Sequence, residues 1–152
     1  MRKAQSGLLT VAAVLAALAD PLRLRILRLV RRRELCVCEL VDALRIPQYR
    51  VSRHLTALRR LDLMAARREG RWMHYRPGPA LWDGGVLAEV VGALTRHLSR
   101  LDEAREDDAR LESRLALRRA GRCVVGTPAA VRPIQRAPRS RRQAHGKESR
   151  HD

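Results

Sequence analysis

The run Glu34-Leu35-Cys36-Val37-Cys38-Glu39-Leu40-Val41-Asp42-Ala43-Leu44-Arg45-Ile46-Pro47-Gln48-Tyr49-Arg50-Val51-Ser52-Arg53-His54-Leu55 holds two short helical patterns and a break between them. Val37, Leu40, Val41 and Leu44 recur at helical spacing, and Cys36 stands where that helix begins. Arg45-Ile46-Pro47 stops the pattern, because proline disfavours helical backbone in the residue before it. A second helix starts near Gln48, with Val51, Leu55, Leu58 and Leu61 on its inner stripe. Its outer face carries Gln48, Tyr49, Arg50, Ser52, Arg53, Thr56 and Arg60. Two short helices joined this way, the second polar and basic outside, predict a helix-turn-helix.

Downstream, residues 64–68 and 71–76 read as strands joined at Glu69-Gly70, with Trp72, Met73 and Tyr75 as β-formers. A hairpin after a helix-turn-helix is a wing. Pro77-Gly78-Pro79 breaks the chain, and Leu87, Val90, Val91, Leu94, Leu98 and Leu101 then repeat at helical spacing on a segment starting near Asp83. A lone wing cannot cover that whole stripe, so a second subunit should bury part of it. Helical composition continues, more charged, to about Arg119. Upstream, residues 8–19 predict a first helix, and Asp20-Pro21 predicts the cap and first residue of a second. The expected architecture is mainly α with a two-stranded β wing: a domain over 8–101, a charged helical extension over 102–119, and a basic disordered tail over 120–152.

Charge points to the partner. Residues 45–76 hold nine arginines against Asp62 and Glu69, net +7, whereas residues 77–119 hold seven against eight acids, net −1. A basic block beside a near-neutral one predicts a localised polyanion-binding surface rather than general solubilisation. Lys3 and Lys147 are the two lysines, so the charge is almost all guanidinium, suited to bidentate phosphate and guanine contacts. Gln48, Tyr49, Ser52 and Arg53, at the start of their helix, are the candidates for base contact; Arg67, Arg68 and Arg71 are wing candidates for phosphate or minor groove. His54 stands alone and reads as a structural or backbone-contacting group rather than a metal ligand. No acid pair, P-loop or nucleophile motif appears, which argues against an enzyme. The apolar run after Arg2-Lys3 imitates a secretory leader, but its cleavage would remove the first helix, so an amphipathic helix in a cytoplasmic protein is the expectation. The run is too short to span a bilayer.

Three cysteines, two of them at i, i+2, are poorly arranged for a disulfide scaffold, and Cys123 lies far from the pair. Cys36 and Cys38 make a better pair of soft-ion ligands. The helix start and the Arg31-Arg32-Arg33 run should favour thiolate. On a regular helix, residues i and i+2 point to nearly opposite sides, so an ion bonded to both sulfurs should distort the first turn and move the helix packed against it.

The segments Ala17-Leu18-Ala19-Asp20-Pro21-Leu22-Arg23-Leu24-Arg25-Ile26-Leu27, Glu34 to Leu40, Val51 to Leu55, and Glu69-Gly70-Arg71-Trp72-Met73-His74-Tyr75-Arg76 resemble the ArsR family of metalloregulatory repressors over about residues 8–101. The Cys-Val-Cys box is specific to its arsenical and soft-metal branch. The resemblance implies a homodimeric winged helix that binds operator DNA until As(III) or Sb(III) acts as inducer, with no organic cofactor, membrane or other protein partner. It also implies a dimer interface of first and fifth helices, here Leu8, Leu9, Leu15, Leu87, Val90, Val91, Leu94, Leu98 and Leu101. Relatives often carry a third cysteine where Val41 stands; none precedes Cys36, and His97 has no matching partners for a zinc site on the dimer helix. Cys123 is then a candidate third ligand, with hydroxide or a small thiol as substitutes. Asp62 replaces the usual turn glycine before the wing and tolerates the left-handed conformation. The rival readings are a Cd(II)/Pb(II) sensor, a dithiol redox switch, or an architectural DNA-binding protein.

Overall fold

A computed structural model of the chain describes residues 7–82 and 84–126, apart from the side chain of Leu9. The first two helices form as the sequence predicts. Helix α1 spans Gly7–Leu18 and α2 spans Pro21–Arg32; the Asp20 carboxylate accepts the backbone N–H of Leu22 at 2.9 Å and of Arg23 at 3.1 Å, capping α2 behind Pro21. Strand β1, Leu35–Cys36, leads into α3, Val37–Leu44, which ends at Arg45 in the left-handed region. Helix α4 follows over Gln48–Arg60. The hairpin strands are β2, Met64–Glu69, and β3, Trp72–Pro77. Asp62 sits at φ 55, the left-handed turn its position requires, and Gly70 at φ 59 turns the hairpin. Gly78 admits no side chain, since a Cβ there would lie 2.2 Å from the Asp62 carbonyl oxygen.

Two features depart from the sequence reading. The sheet has three antiparallel strands in the order β1-β3-β2, with Leu35 opposite Tyr75 and Cys36 opposite His74. A two-residue strand carries no alternation to read, so β1 is invisible in the sequence. The long C-terminal helix is also broken: α5 spans Val86–Leu98 and α6 spans Asp102–Leu115. Thr95 and Ser99 hydroxyls bond to backbone carbonyls one turn back, Leu101 is extended at ψ 151, and Asp102 and Glu103 favour a new helix N-terminus. Leu101 is thus the N-cap of α6 and no longer continues the α5 stripe.

The core is one cluster. Ile26, Leu27 and Leu29 of α2, Leu40 and Val41 of α3, and Val51, Leu55 and Leu58 of α4 meet beneath Leu35, Leu63 and Tyr75, all buried. Each fully buried leucine contributes about 1.5–3 kcal/mol, which fixes α4 by its inner face and leaves its basic face outside. Helix α6 is not a detached extension. It packs along α3, with Ala104, Asp107, Leu111 and Arg114 buried. Its polar contacts are dense: Asp107 accepts from Arg25 and Arg110, and Asp108 from Arg28 and Arg32. No helix among the described residues is long and apolar enough to cross a membrane. The expected tail lies outside the described residues from 127 onward, but residues 120–126 fold back over α3.

Candidate metal centre and nucleic-acid interface

Cys36 ends β1 and caps α3 with φ −85 and ψ 162, while Cys38 lies in the first helical turn. Because Cys36 is extended rather than helical, the two side chains converge. Their Cα atoms are 5.5 Å apart and their sulfurs are in direct contact. That corrects one expectation: the sulfurs need no first-turn distortion to meet one ion. Cys123, arriving behind α6, places its Sγ 2.9 Å from that of Cys36 and 3.1 Å from that of Cys38. All three are buried, and their sulfurs lie within 4.8 Å of one another, the metal-competent group among the described residues.

The segment carrying Cys123 is held by arginines at and just beyond the end of α6. Arg118 donates to the Glu39 carboxylate at 2.6 and 2.8 Å and to the Glu34 carbonyl at 2.9 Å. Arg114 pairs with Asp42 and donates to the Val125 carbonyl. Main-chain bonds in both directions between Arg119 and Arg122 close a tight turn, and Arg122 reaches Glu69 on the hairpin at 3.2 Å. Glu39, fully buried, also accepts the Cys36 backbone N–H at 2.9 Å, the carboxylate half of a capping box. Burial pushes the Cys123 thiol up, Glu39 adds to that, and the Arg114 and Arg118 guanidinium groups oppose it. The arginines at the cysteines are therefore Arg114 and Arg118. Arg32 and Arg33 instead pair with Asp108 and Glu112, so the expected role of the Arg31–Arg33 run does not hold. Sequence reading missed Arg114, Arg118 and Trp72. Glu39, three residues after a helix-starting cysteine, was readable as a capping residue.

On α4, Gln48, Tyr49, Arg50, Arg53, Thr56 and Arg60 are exposed, while Ser52 and His54 are half-buried. His54 Nδ1 accepts from Arg23 Nε at 3.3 Å and lies 3.8 Å from Asp20, joining α4 to the start of α2. In the hairpin, Arg67 is engaged by Glu34 and Glu69, which raise its guanidinium pKa further. Arg68 is exposed and donates to the Gly70 carbonyl, and Arg71 lies over the Trp72 ring at 4.7 Å. Arg68 and Arg71 are the freer pair for a polyanion.

Two helices expose apolar residues. Leu8 is 78% exposed and Leu15 51%, with Val11 between them; on α5, Leu94 faces out while Leu87, Val90 and Leu98 are half-covered. Val91 departs from the expected stripe: it is buried in the chain's own core and is unavailable to a partner.

A family model described as bacterial regulatory protein, arsR family, matches residues 20–65. The chain is 42% identical over 95 residues to the arsenic resistance transcriptional regulator ArsR1 of Pseudomonas putida, covering 60% of this chain and 74% of that protein. It is 40% identical over 93 residues to the arsenical resistance operon repressor of Escherichia coli, covering 55% of this chain and 80% of that one. Among solved structures, HlyU from Vibrio cholerae superposes with a TM-score of 0.51 at 30% identity, over 64% of this chain and 97% of that one. The homodimeric winged helix-turn-helix DNA-binding domain Mb0332 from Mycobacterium bovis gives 0.50 at 31%, over 66% and 91%.

Proposed function

The chain belongs to the ArsR family of DNA-binding transcriptional repressors, and from that premise we propose that it is a cytoplasmic homodimer that releases operator DNA when As(III) or Sb(III) binds Cys36, Cys38 and Cys123. The convergence of three buried sulfurs at the start of the helix-turn-helix carries this reading. Trivalent arsenic takes three soft ligands, and with the pair reduced the chain supplies all three, so neither hydroxide nor a small thiol is needed. Each As–S bond forms as an As–OH group and a thiol proton leave together as water, so loading needs no prior thiolate and adds no net charge.

Release follows from where the sulfurs are anchored. An ion bonded to all three at metal–sulfur lengths of roughly 2.3 Å forces them wider than the 2.9 and 3.1 Å separations of Cys123 from its neighbours. That strain falls on the Cys123 segment, tied to α3 through Arg118–Glu39 and to the hairpin through Arg122–Glu69. Cys36 is itself in register with His74 on β3, so its displacement pulls on the wing through backbone hydrogen bonds. Coupling of about 1–3 kcal/mol is the usual scale of such effects. The test is fluorescence anisotropy of the protein on its promoter DNA, with the reduced protein titrated with arsenite. Retention of DNA at saturating arsenite would sink the reading.

The adjacency of the two pair thiols favours one alternative, a dithiol redox switch. Peroxide then releases DNA and arsenite does not, so the same anisotropy assay separates them.

Two readings of the surface carry their own tests. Arg53→Ala, on the exposed start of α4, should cost about 1–3 kcal/mol of operator binding and relax specificity at one base position. Arg68→Ala should weaken operator and scrambled DNA alike and flatten the salt slope by about one. Identical behaviour of the two variants on scrambled DNA would favour an architectural binder instead. For assembly, the exposed faces of α1 and α5 supply an interface, and two recognition helices then meet half-sites about 34 Å apart. Leu94→Arg should sediment as a monomer and lose operator binding, whereas arsenite should leave the wild-type dimer assembled. A metalloid-driven shift to monomer would place release at the interface rather than at the wing.

A further inference from the structure

The hydrophobic side chain packed against the three sulfurs is Trp72. It lies on β3 two residues before His74, which faces Cys36 in the register, so Trp72, His74 and Cys36 share one face of the sheet. The indole is held from several sides. The Arg71 guanidinium lies 4.7 Å from its centroid, and a Cβ at Gly126, on the segment that brings Cys123, would stand 3.8 Å from its outer edge.

The groups that could donate a fourth bond are turned elsewhere. The Glu39 oxygens are taken by the Cys36 N–H and by Arg118. The His74 nitrogens lie 3.8 and 3.9 Å from Glu34 and Glu69 oxygens, outside the sulfur group. The Val125 carbonyl, 3.6 Å from Cys123 Sγ, is taken by Arg114, whose guanidinium lies 3.9 Å from that sulfur; what remains is three sulfurs with the indole as their apolar wall. Trivalent arsenic and antimony form three bonds and carry a lone pair; with three thiolates their complexes are uncharged. Zinc(II) takes four ligands in closed protein sites, and here an indole without a donor atom stands against the three sulfurs instead of a fourth ligand.

We propose that Trp72 is the specificity-determining residue of the centre: its indole occupies the fourth coordination position and confines the site to three-coordinate, uncharged complexes, favouring As(III) and Sb(III) over Zn(II) and Cd(II). The inference rests on the metalloid reading above, and the experiment separates the two. The reduced full chain and its Trp72→Ala and Trp72→Phe variants are titrated with sodium arsenite, zinc chloride and cadmium chloride, with uptake measured by equilibrium dialysis and near-ultraviolet thiolate absorbance. Trp72→Ala should shift the ratio of arsenite to cadmium affinity at least tenfold towards cadmium, and Trp72→Phe should retain most of the wild-type ratio. Trp72→His, which keeps a ring in place but adds a donor, should gain at least tenfold in zinc affinity, and serves if the alanine variant does not fold. A ratio unchanged within twofold in Trp72→Ala, or no zinc gain in Trp72→His, overturns the proposal while arsenite still binds. Failure of the wild type to take up arsenite overturns the metalloid reading itself.

Discussion

Cys36→Ser and Cys38→Ser are each expected to bind operator DNA within a few-fold of the wild type and to keep it at arsenite concentrations that empty the wild-type complex. Both substitutions preserve the shape of the α3 N-terminus. Cys36 is the N-cap, a position serine fills well, and Glu39 bonds to its backbone rather than to its sulfur. Cys38 is buried, so a hydroxyl there costs about 1–3 kcal/mol if left unpaired, enough to lower stability without unfolding a domain of ordinary stability. The α4 face and the hairpin arginines are untouched. What is lost is one of the two soft ligands anchored on β1 and in the first turn of α3, the elements through which binding reaches the wing. The full coupling, roughly 5–150-fold in DNA affinity, should vanish in each variant. Cys123→Ser should weaken arsenite binding with the other two sulfurs still in place. Normal arsenite release by either Cys36→Ser or Cys38→Ser in anisotropy would place sensing elsewhere.

Asp107→Ala should destabilise the fold more than any surface change described above. The side chain is fully buried, with Arg25 and Arg110 each at 2.6 Å and Arg28 at 3.9 Å. Arg28 is itself only 2% exposed and retains Asp108 and the Ala104 carbonyl as partners. Removing the carboxylate takes the short charged bonds from Arg25 and Arg110, which keep partial contact with water, so the cost is about 3 kcal/mol, the lower end of the range for breaking a fully buried pair. That is a large share of the 5–15 kcal/mol typical of a domain, and should lower the thermal midpoint by roughly 10 °C or more. Thermal denaturation followed by circular dichroism measures it. Because Asp107 joins α6 to α2, and α6 leads into the segment of Cys123, arsenite affinity should fall in the same variant. A midpoint within about two degrees of the wild type would mean that water or neighbouring acids already satisfy the arginines.

How far each feature could be read in the sequence depended on how local its cause was. Asp20-Pro21 announces a helix start because a carboxylate two residues from an N–H makes the same bond in any context. The α4 stripe of Val51, Leu55 and Leu58 is periodic over several turns, so its buried face and, by subtraction, its basic outer face were both legible. The Cys36–Cys38 pair was legible as chemistry but not as geometry. Helical rotation separates such side chains, and only the two-residue strand β1, formed against His74 and Tyr75, puts Cys36 in the extended conformation that brings them together.

The helix-turn-helix, the wing, the basic face and the paired cysteines were legible in the sequence, because each rests on short-range periodicity, capping or composition. Tertiary structure alone decided that α6 folds along α3, that Val91 turns inward, and that Cys123, 85 residues from Cys38, completes the sulfur group beside Trp72. Those contacts depend on long-range packing and on buried pairs such as Arg118–Glu39, whose partners lie 79 residues apart and leave no mark in either local pattern.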